Sequence, residues 1–337
     1  MGTVHAVEAN PQKAGASVGY IPAPSMVQPP VAGQPPPAQQ EPPPQKEDDG
    51  PGTFEDLHKA CKDMFPTPFD GAKIMINKGL SNHFQVSHTF TMSNVSPAGY
   101  RFGCTYVGTN QPSPTEAYPV LLGELSPSGD MNANIIHQVT QNLRTKFVAQ
   151  IQGGKWVATQ FQNDYKGKDY TASFAAMNPN FLNDSGIYVG QYLQNVTKSL
   201  ALGAEVFYQR DKQLPGHQIA VLTLAGKYTG TNCQAGCNLT PGAGGLHLSY
   251  HHKLDKQVQM GVELETSLRM RESVATFGYQ VDSEDGSTTF KAQADTNWCV
   301  GATLEKKLLP MPFSLILSGF ANHPKSSYRF GIGFMVG

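Results

Sequence analysis

This 337-residue sequence is short of charge, of pairable cysteine and of long apolar runs. Charged residues make up 15% of it, against about a quarter in an ordinary globular chain. The 25 basic and 26 acidic residues nearly cancel, so nothing pulls the chain as a whole towards nucleic acid or a charged surface. Cys61, Cys104, Cys233, Cys237 and Cys299 are odd in number and scattered, which excludes a disulfide framework. The most apolar stretch, Leu308 to Ala321, carries Pro310 and Pro312 and falls short of the ~20 residues a spanning helix needs. No basic start followed by an apolar core opens the chain, so no secretory leader is expected. The sequons at Asn94, Asn183, Asn195 and Asn238 are then read as chance. Met1-Gly2 hints at myristoylation, but Ala6 stands where that motif wants Ser or Thr. There is no phosphate loop and no His-Glu-x-x-His. Neither an enzyme nor a cofactor is expected.

What the chain does have is a period-2 hydrophobic pattern that restarts about every 14 residues from Gly71 onward. Phe84, Val86, His88, Phe90 and Met92 fall on one side, and Gln85, Ser87, Thr89 and Thr91 on the other. Near the end Tyr328, Phe330, Ile332, Phe334 and Val336 alternate with Arg329, Gly331, Gly333 and Met335. Successive side chains of a strand point to opposite faces, so each segment has one greasy and one wet face. About nineteen strand candidates can be marked. The weakest are 71–79, the Pro-bearing 117–125, and 230–240. Turn signals such as Gly153-Gly154, Pro215-Gly216 and Asp285-Gly286 separate them.

Residues 1–52 hold about a dozen prolines and almost no aromatic residues. Such a tail cannot bury enough apolar surface to offset its ordering entropy, and it reads as a disordered spacer with polyproline II character. One helix follows. Thr53 can cap it with Asp56 three residues on, and Pro66 and Pro68 end it. Phe54, Leu57, Cys61 and Met64 form its apolar stripe, while Glu55, His58, Lys59, Lys62 and Asp63 cover the other side. The expected organisation is a tail over 1–52, a helix and linker over 53–70, and one strand-rich body over 71–337.

Nineteen strands exceed what an open twisted sheet tolerates, and closure removes the edges. The polarity follows from the wet rows. Gln85/Ser87/Thr89/Thr91 and Gln257/Gln259/Glu263/Glu265 are too polar for a protein core but suit a water-filled lumen. A charge facing lipid costs about 2–4 kcal/mol at mid-membrane, and the greasy rows nearly lack charge. The reading is an all-β transmembrane barrel with the helix inside its lumen. A soluble β-rich binding protein is the competing class. Parity turns Glu205, Glu263, Glu265, Asp295 and Glu305 towards the lumen, with Arg101, Arg144, Lys146 and Lys291. Acidic patches there could hold basic amphipathic segments in transit. His88 falls on the greasy row, where a protein seam is the second reading after plain packing. Cys233 and Cys237, placed in a loop, could be drawn with His247, His251 and His252 as a zinc site, but no metal is expected, because a loop flanking a His row explains them.

Several longer runs carry a resemblance. Residues 77–88, Thr105-Tyr-Val-Gly-Thr109, Ser113-Pro-Thr-Glu-Ala117, Leu224-Ala-Gly-Lys-Tyr228 and the run from Asn297 to Lys307 resemble the pore subunits of the translocase of the outer mitochondrial membrane. The likeness covers about residues 52–337. It implies a 19-stranded barrel whose first and last strands pair in parallel, with a helix in the pore. It also implies passage of unfolded precursor proteins through the outer membrane. The implied partners are those precursors, small helical subunits, a central receptor subunit, membrane lipid, and further copies of the chain in a dimer or higher assembly. In that assembly the seam runs near the first and last strands and makes His88 a neighbour of it. Arg329, Gly331, Phe334 and Val336 match the family's sorting signal for membrane insertion. A metabolite and ion pore resembling the voltage-dependent anion channel remains the alternative, since bare alternation does not separate the two.

Overall fold

The computed structural model describes residues 50–93, 98–113, 116–180, 185–212 and 216–337. The expected tail therefore lies, apart from residues 50–52, outside the described residues. The wall is a run of antiparallel hairpins: β1 Gly71–Gly79, β2 Phe84–Met92, β3 Gly99–Ser113, β4 Glu116–Leu125, β5 Met131–Thr140, β6 Leu143–Gln152 and β7 Lys155–Lys166. It continues through β8 Tyr170–Asn180, β9 Ser185–Asn195, β10 Leu200–Arg210, β11 Gln218–Thr229, β12 Cys233–Thr240 and β13 Gly245–Lys253. It ends with β14 Val258–Ser267, β15 Glu272–Asp282, β16 Thr288–Asp295, β17 Cys299–Lys307, β18 Phe313–Asn322 and β19 Ser327–Val336. These form one 19-stranded sheet. An odd number of up-and-down strands leaves the two ends pointing the same way, so closure has to be parallel. It is: β1 pairs with β19 from Gly71↔Gly331 to Ile76↔Val336.

The alternation explains the faces. Large apolar side chains such as Phe330, Phe174 and Leu202 are exposed on the outside, where lipid replaces a core. No helix among the described residues is long and apolar enough to cross a membrane. Turn chemistry fixes the registers. Gly153 and Gly154 both take positive φ, 55° and 76°, in the two-residue link between β6 and β7, as a hairpin turn of the right twist requires.

The weak strand expectations at 71–79, 117–125 and 230–240 correspond to β1, β4 and β12. β5 is an element whose alternation is hard to see, because Ile135 and Ile136 are adjacent and point to opposite faces: Ile135 is exposed and Ile136 is 6% exposed. Cys233 and Cys237 lie in β12 and not in a loop. Cys233 pairs with His252 and Cys237 with Leu248, while Asn238 pairs with His247 and Gln234 with His251. The two cysteines and His252 therefore face outward and His247 and His251 inward, which breaks up the drawn zinc constellation.

The helix differs from expectation in two ways. It is a 3-10 turn, Phe54–Leu57, followed by a short α-helix, α1, Lys59–Met64, with His58 at φ −106°, ψ 0° between them. His58 is not on a solvated side; it is 7% exposed and faces the wall.

Candidate functional site

The candidate site is the lumen wall from β9 to β19 and the segment that lies on it. Cross-strand partners share a face, so the inward row can be followed laterally: Asn195, Ala201, Lys227, Gly236, Ser249, Glu263, Thr276 and Asp295. The N-terminal segment crosses this wall. Lys227 Nζ donates to the Pro51 carbonyl at 3.2 Å. The Asp56 carboxylate accepts from the Thr53 N–H at 3.1 Å and hydroxyl at 2.6 Å. Burial alone would raise the Asp56 carboxyl, but these two bonds and Lys59 outweigh it and hold it below the ordinary value.

Beyond the cap, the expected stripe is the packed one. Leu57, Cys61 and Met64 are each at most 2% exposed, and Phe54 is buried with Leu193, Ala201 and Ala225. Glycines make room for it. A Cβ on Gly261 would stand 2.5 Å from Met64 Cε and 3.0 Å from Cys61 Sγ. One on Gly236 would meet the Leu57 carbonyl at 2.9 Å, and one on Gly278 the Phe65 ring at 2.5 Å. Gly331 receives the Phe69 carbonyl, which a Cβ would meet at 2.4 Å. These inward glycines were invisible as a docking track in the sequence, although their place on the wet rows was the available signal.

His58 anchors the turn. Its Nδ1 lies 2.6 Å from Ser249 Oγ, and its ring stacks on His247 at 3.9 Å between centroids. Burial, then the neighbouring His247 and Lys62, push the imidazole down to about 4, so it is neutral near pH 7. His247 Nε2 in turn lies 2.5 Å from Glu263 Oε1. Burial and the nearby Glu263 carboxylate push the Cys61 thiol up to about 11, so it is inert while the segment is seated.

The register brings some of the five lumen acids together and leaves others apart. Glu263 and Glu265 flank His247, 2.5 and 3.8 Å from its Nε2. Asp295 shares the Glu263 row two strands on, through Thr276, which is roughly 10 Å away at the usual strand spacing. Glu305 lies on the next strand, opposite Thr289 and Ile316. Glu205 is remote, on β10, and accepts from Gln191 Nε2 at 2.6 Å. Its row continues through Gln191 and Ser173 to Asp164 and Arg144, an ion pair of 3.0 Å whose carboxylate side chain is 1% exposed. That pair was not foreseen as a unit. Lys291 donates to the Asp63 carbonyl at 2.6 Å and so helps seat the helix.

The remaining named residues lie near the closure. His88 pairs with Ile76 and Phe102 on the outer face, and its Nδ1 is 2.7 Å from the Tyr100 hydroxyl. In β19, Gly331 opposes Ser318 on the inner face, while Phe334 and Val336 face outward beside Leu315 and Phe313. Arg329 points inward, 5.9 Å from the centre of the Phe320 ring.

The eukaryotic porin family model matches residues 50–331. The chain is 52% identical over 287 residues to the mitochondrial import receptor subunit TOM40 homolog 2 of Drosophila melanogaster, covering 85% of this chain and 84% of that one. It is 48% identical over 287 residues to the mitochondrial import receptor subunit TOM40 homolog of Homo sapiens, covering 85% of this chain and 78% of that one. A solved mutant of Rh. blastica porin is similar at 12% identity and a TM-score of 0.43, covering 68% of this chain and 94% of that one.

Proposed function

The chain belongs to the eukaryotic porin family, and from that premise we propose that it is the protein-conducting channel through which unfolded precursors, presequence-bearing ones among them, cross the mitochondrial outer membrane. The observation that carries this reading is kinship: relatives named as mitochondrial import receptor subunits are 46–52% identical across most of the chain. The closed barrel agrees with it physically. A wall that alternates hydroxyl, amide, acid and base can hold a passing segment weakly at many points without trapping it. Glu263 and Glu265, two strands from Asp295, make the densest acid patch and the best first contact for a basic amphipathic presequence. Glu305, on the next strand, extends it, and Glu205 offers a separate contact on β10. The metabolite-pore alternative keeps no observation of its own, since barrel and parallel closure suit both.

Membership of an outer-membrane import complex follows from the same kinship. Small helical subunits, a central receptor and a second copy are assigned as partners, with the seam near β1 and β19. The outward His88–Tyr100 pair lies next to that closure and is a polar handle for it. Phe334 and Val336, with Arg329 and Gly331, are assigned to recognition during membrane insertion, where a regular greasy strand face can be read by strand addition. No catalytic role is assigned. The test is replacement: the chain is expressed in mitochondria depleted of their own import channel. Restored uptake of a presequence-bearing precursor is expected. Restored metabolite exchange without precursor uptake would overturn the assignment.

A further inference from the structure

Three donor atoms converge on the inner wall, two of them from the acid patch assigned above to precursor contact. His247 Nε2 and one carboxylate oxygen each from Glu263 and Glu265 all lie within 4.8 Å of one another. Glu265 is the direct cross-strand partner of His247 and Glu263 its diagonal neighbour. The donors therefore stand on two adjacent strands of a closed wall, which holds them together without help from a loop. One imidazole nitrogen with two carboxylate oxygens, open to water on the lumen side, is a set that suits Zn2+, whereas Mg2+ and Ca2+ favour oxygen alone.

A second observation lies beside it. His58 Nε2 is buried with no hydrogen-bond partner among the described residues, and so is Asn238 Oδ1. Asn238 is the other cross-strand partner of His247, and the His58 ring covers one face of the His247 ring. The polar cluster around His247 thus holds two buried atoms without a close partner, on side chains that face each other. We propose that His247, Glu263 and Glu265 form a lumenal Zn2+ site at the seat of the N-terminal segment. The ion takes the place of the His247–Glu263 hydrogen bond, with the His247 proton on Nδ1. Lys62, within electrostatic reach of Glu263 from α1, is the cation it displaces.

The test uses the full-length chain refolded in detergent micelles and titrated with Zn2+ by calorimetry, with Co2+ as a visible reporter. A saturable single site is expected. His247→Ala and Glu265→Gln should each weaken it about tenfold or more, and Lys62→Ala should tighten it. Excess Ca2+ should not compete. The Co2+ spectrum should lack a thiolate charge-transfer band, which separates this site from Cys61 and the outward cysteines. Unchanged affinity in either ligand variant, a thiolate band, or equal displacement by Ca2+ would overturn the proposal. Glu265 is two-thirds exposed, so its amide variant folds even where His247→Ala does not.

Discussion

Acidification should release the N-terminal segment from the wall, and His58 sets the size of the effect. Seated, its imidazole is held at about 4 by burial and by the neighbouring His247 and Lys62, with Ser249, Glu263 and Asn238 also facing it. Released into water it returns to the ordinary value near 6.5. Both forms are neutral above about pH 7.5, so the full docking energy is present there. As pH falls below 6.5 the released form gains a proton that the seated form refuses, and docking weakens until about pH 4. At about 1.4 kcal/mol per pH unit, the loss is on the order of 3 kcal/mol in all. By pH 5 the released fraction should rise roughly 30-fold. Cys61, 2% exposed when seated, reports it. In a chain with the other four cysteines replaced, the rate of Cys61 modification is measured against pH. Each rate is divided by that of the denatured chain to remove the thiol's own chemistry. The rise should vanish in His58→Gln. A flat profile, or an equal rise in His58→Gln, would refute the reasoning.

Other consequences can be measured on the same material. Gly331→Val places carbon against the Phe69 carbonyl, which cannot rotate away as a side chain could; the linker should become cleavable by added protease while heat-resistant barrel mobility is kept. Arg144→Leu strands a carboxylate that is 1% exposed and should cost about 3 kcal/mol in denaturant stability, most of it recovered in Arg144→Leu/Asp164→Leu. Thr53→Val removes the hydroxyl bonded to Asp56; a lost cap of this kind costs about 1 kcal/mol and should raise Cys61 reactivity about fivefold at pH 7.

The wall was largely legible in the sequence because a strand's period of two is rigid. Once Gly153-Gly154 and the other turns set the registers, parity alone turned Glu205, Glu263, Glu265, Asp295 and Glu305 inward, matching the row partners seen for each. β5 was obscured by the Ile135-Ile136 pair. Cys233-Gln-Ala-Gly-Cys237 looked like a loop because its alternating residues are small, although β-pairing with β13 makes it wall. The helix stripe was readable, but His58 was assigned to solvent. Its burial depends on Ser249 and His247, which lie nearly two hundred residues away, and no local periodicity reports a contact at that distance. The glycine track is of the same kind: Gly236, Gly261, Gly278 and Gly331 have meaning only against the side chains and carbonyls that fill them.

The central claim is that this lumen conducts precursor segments by way of its acids. Its most direct test is single-channel recording of the purified chain in a planar bilayer, before and after adding a basic presequence peptide. A cation-preferring conductance is expected, blocked by the peptide in a voltage-dependent way, with the block weakened in Glu263→Gln/Glu265→Gln. An anion-selective pore that ignores the peptide would contradict the account.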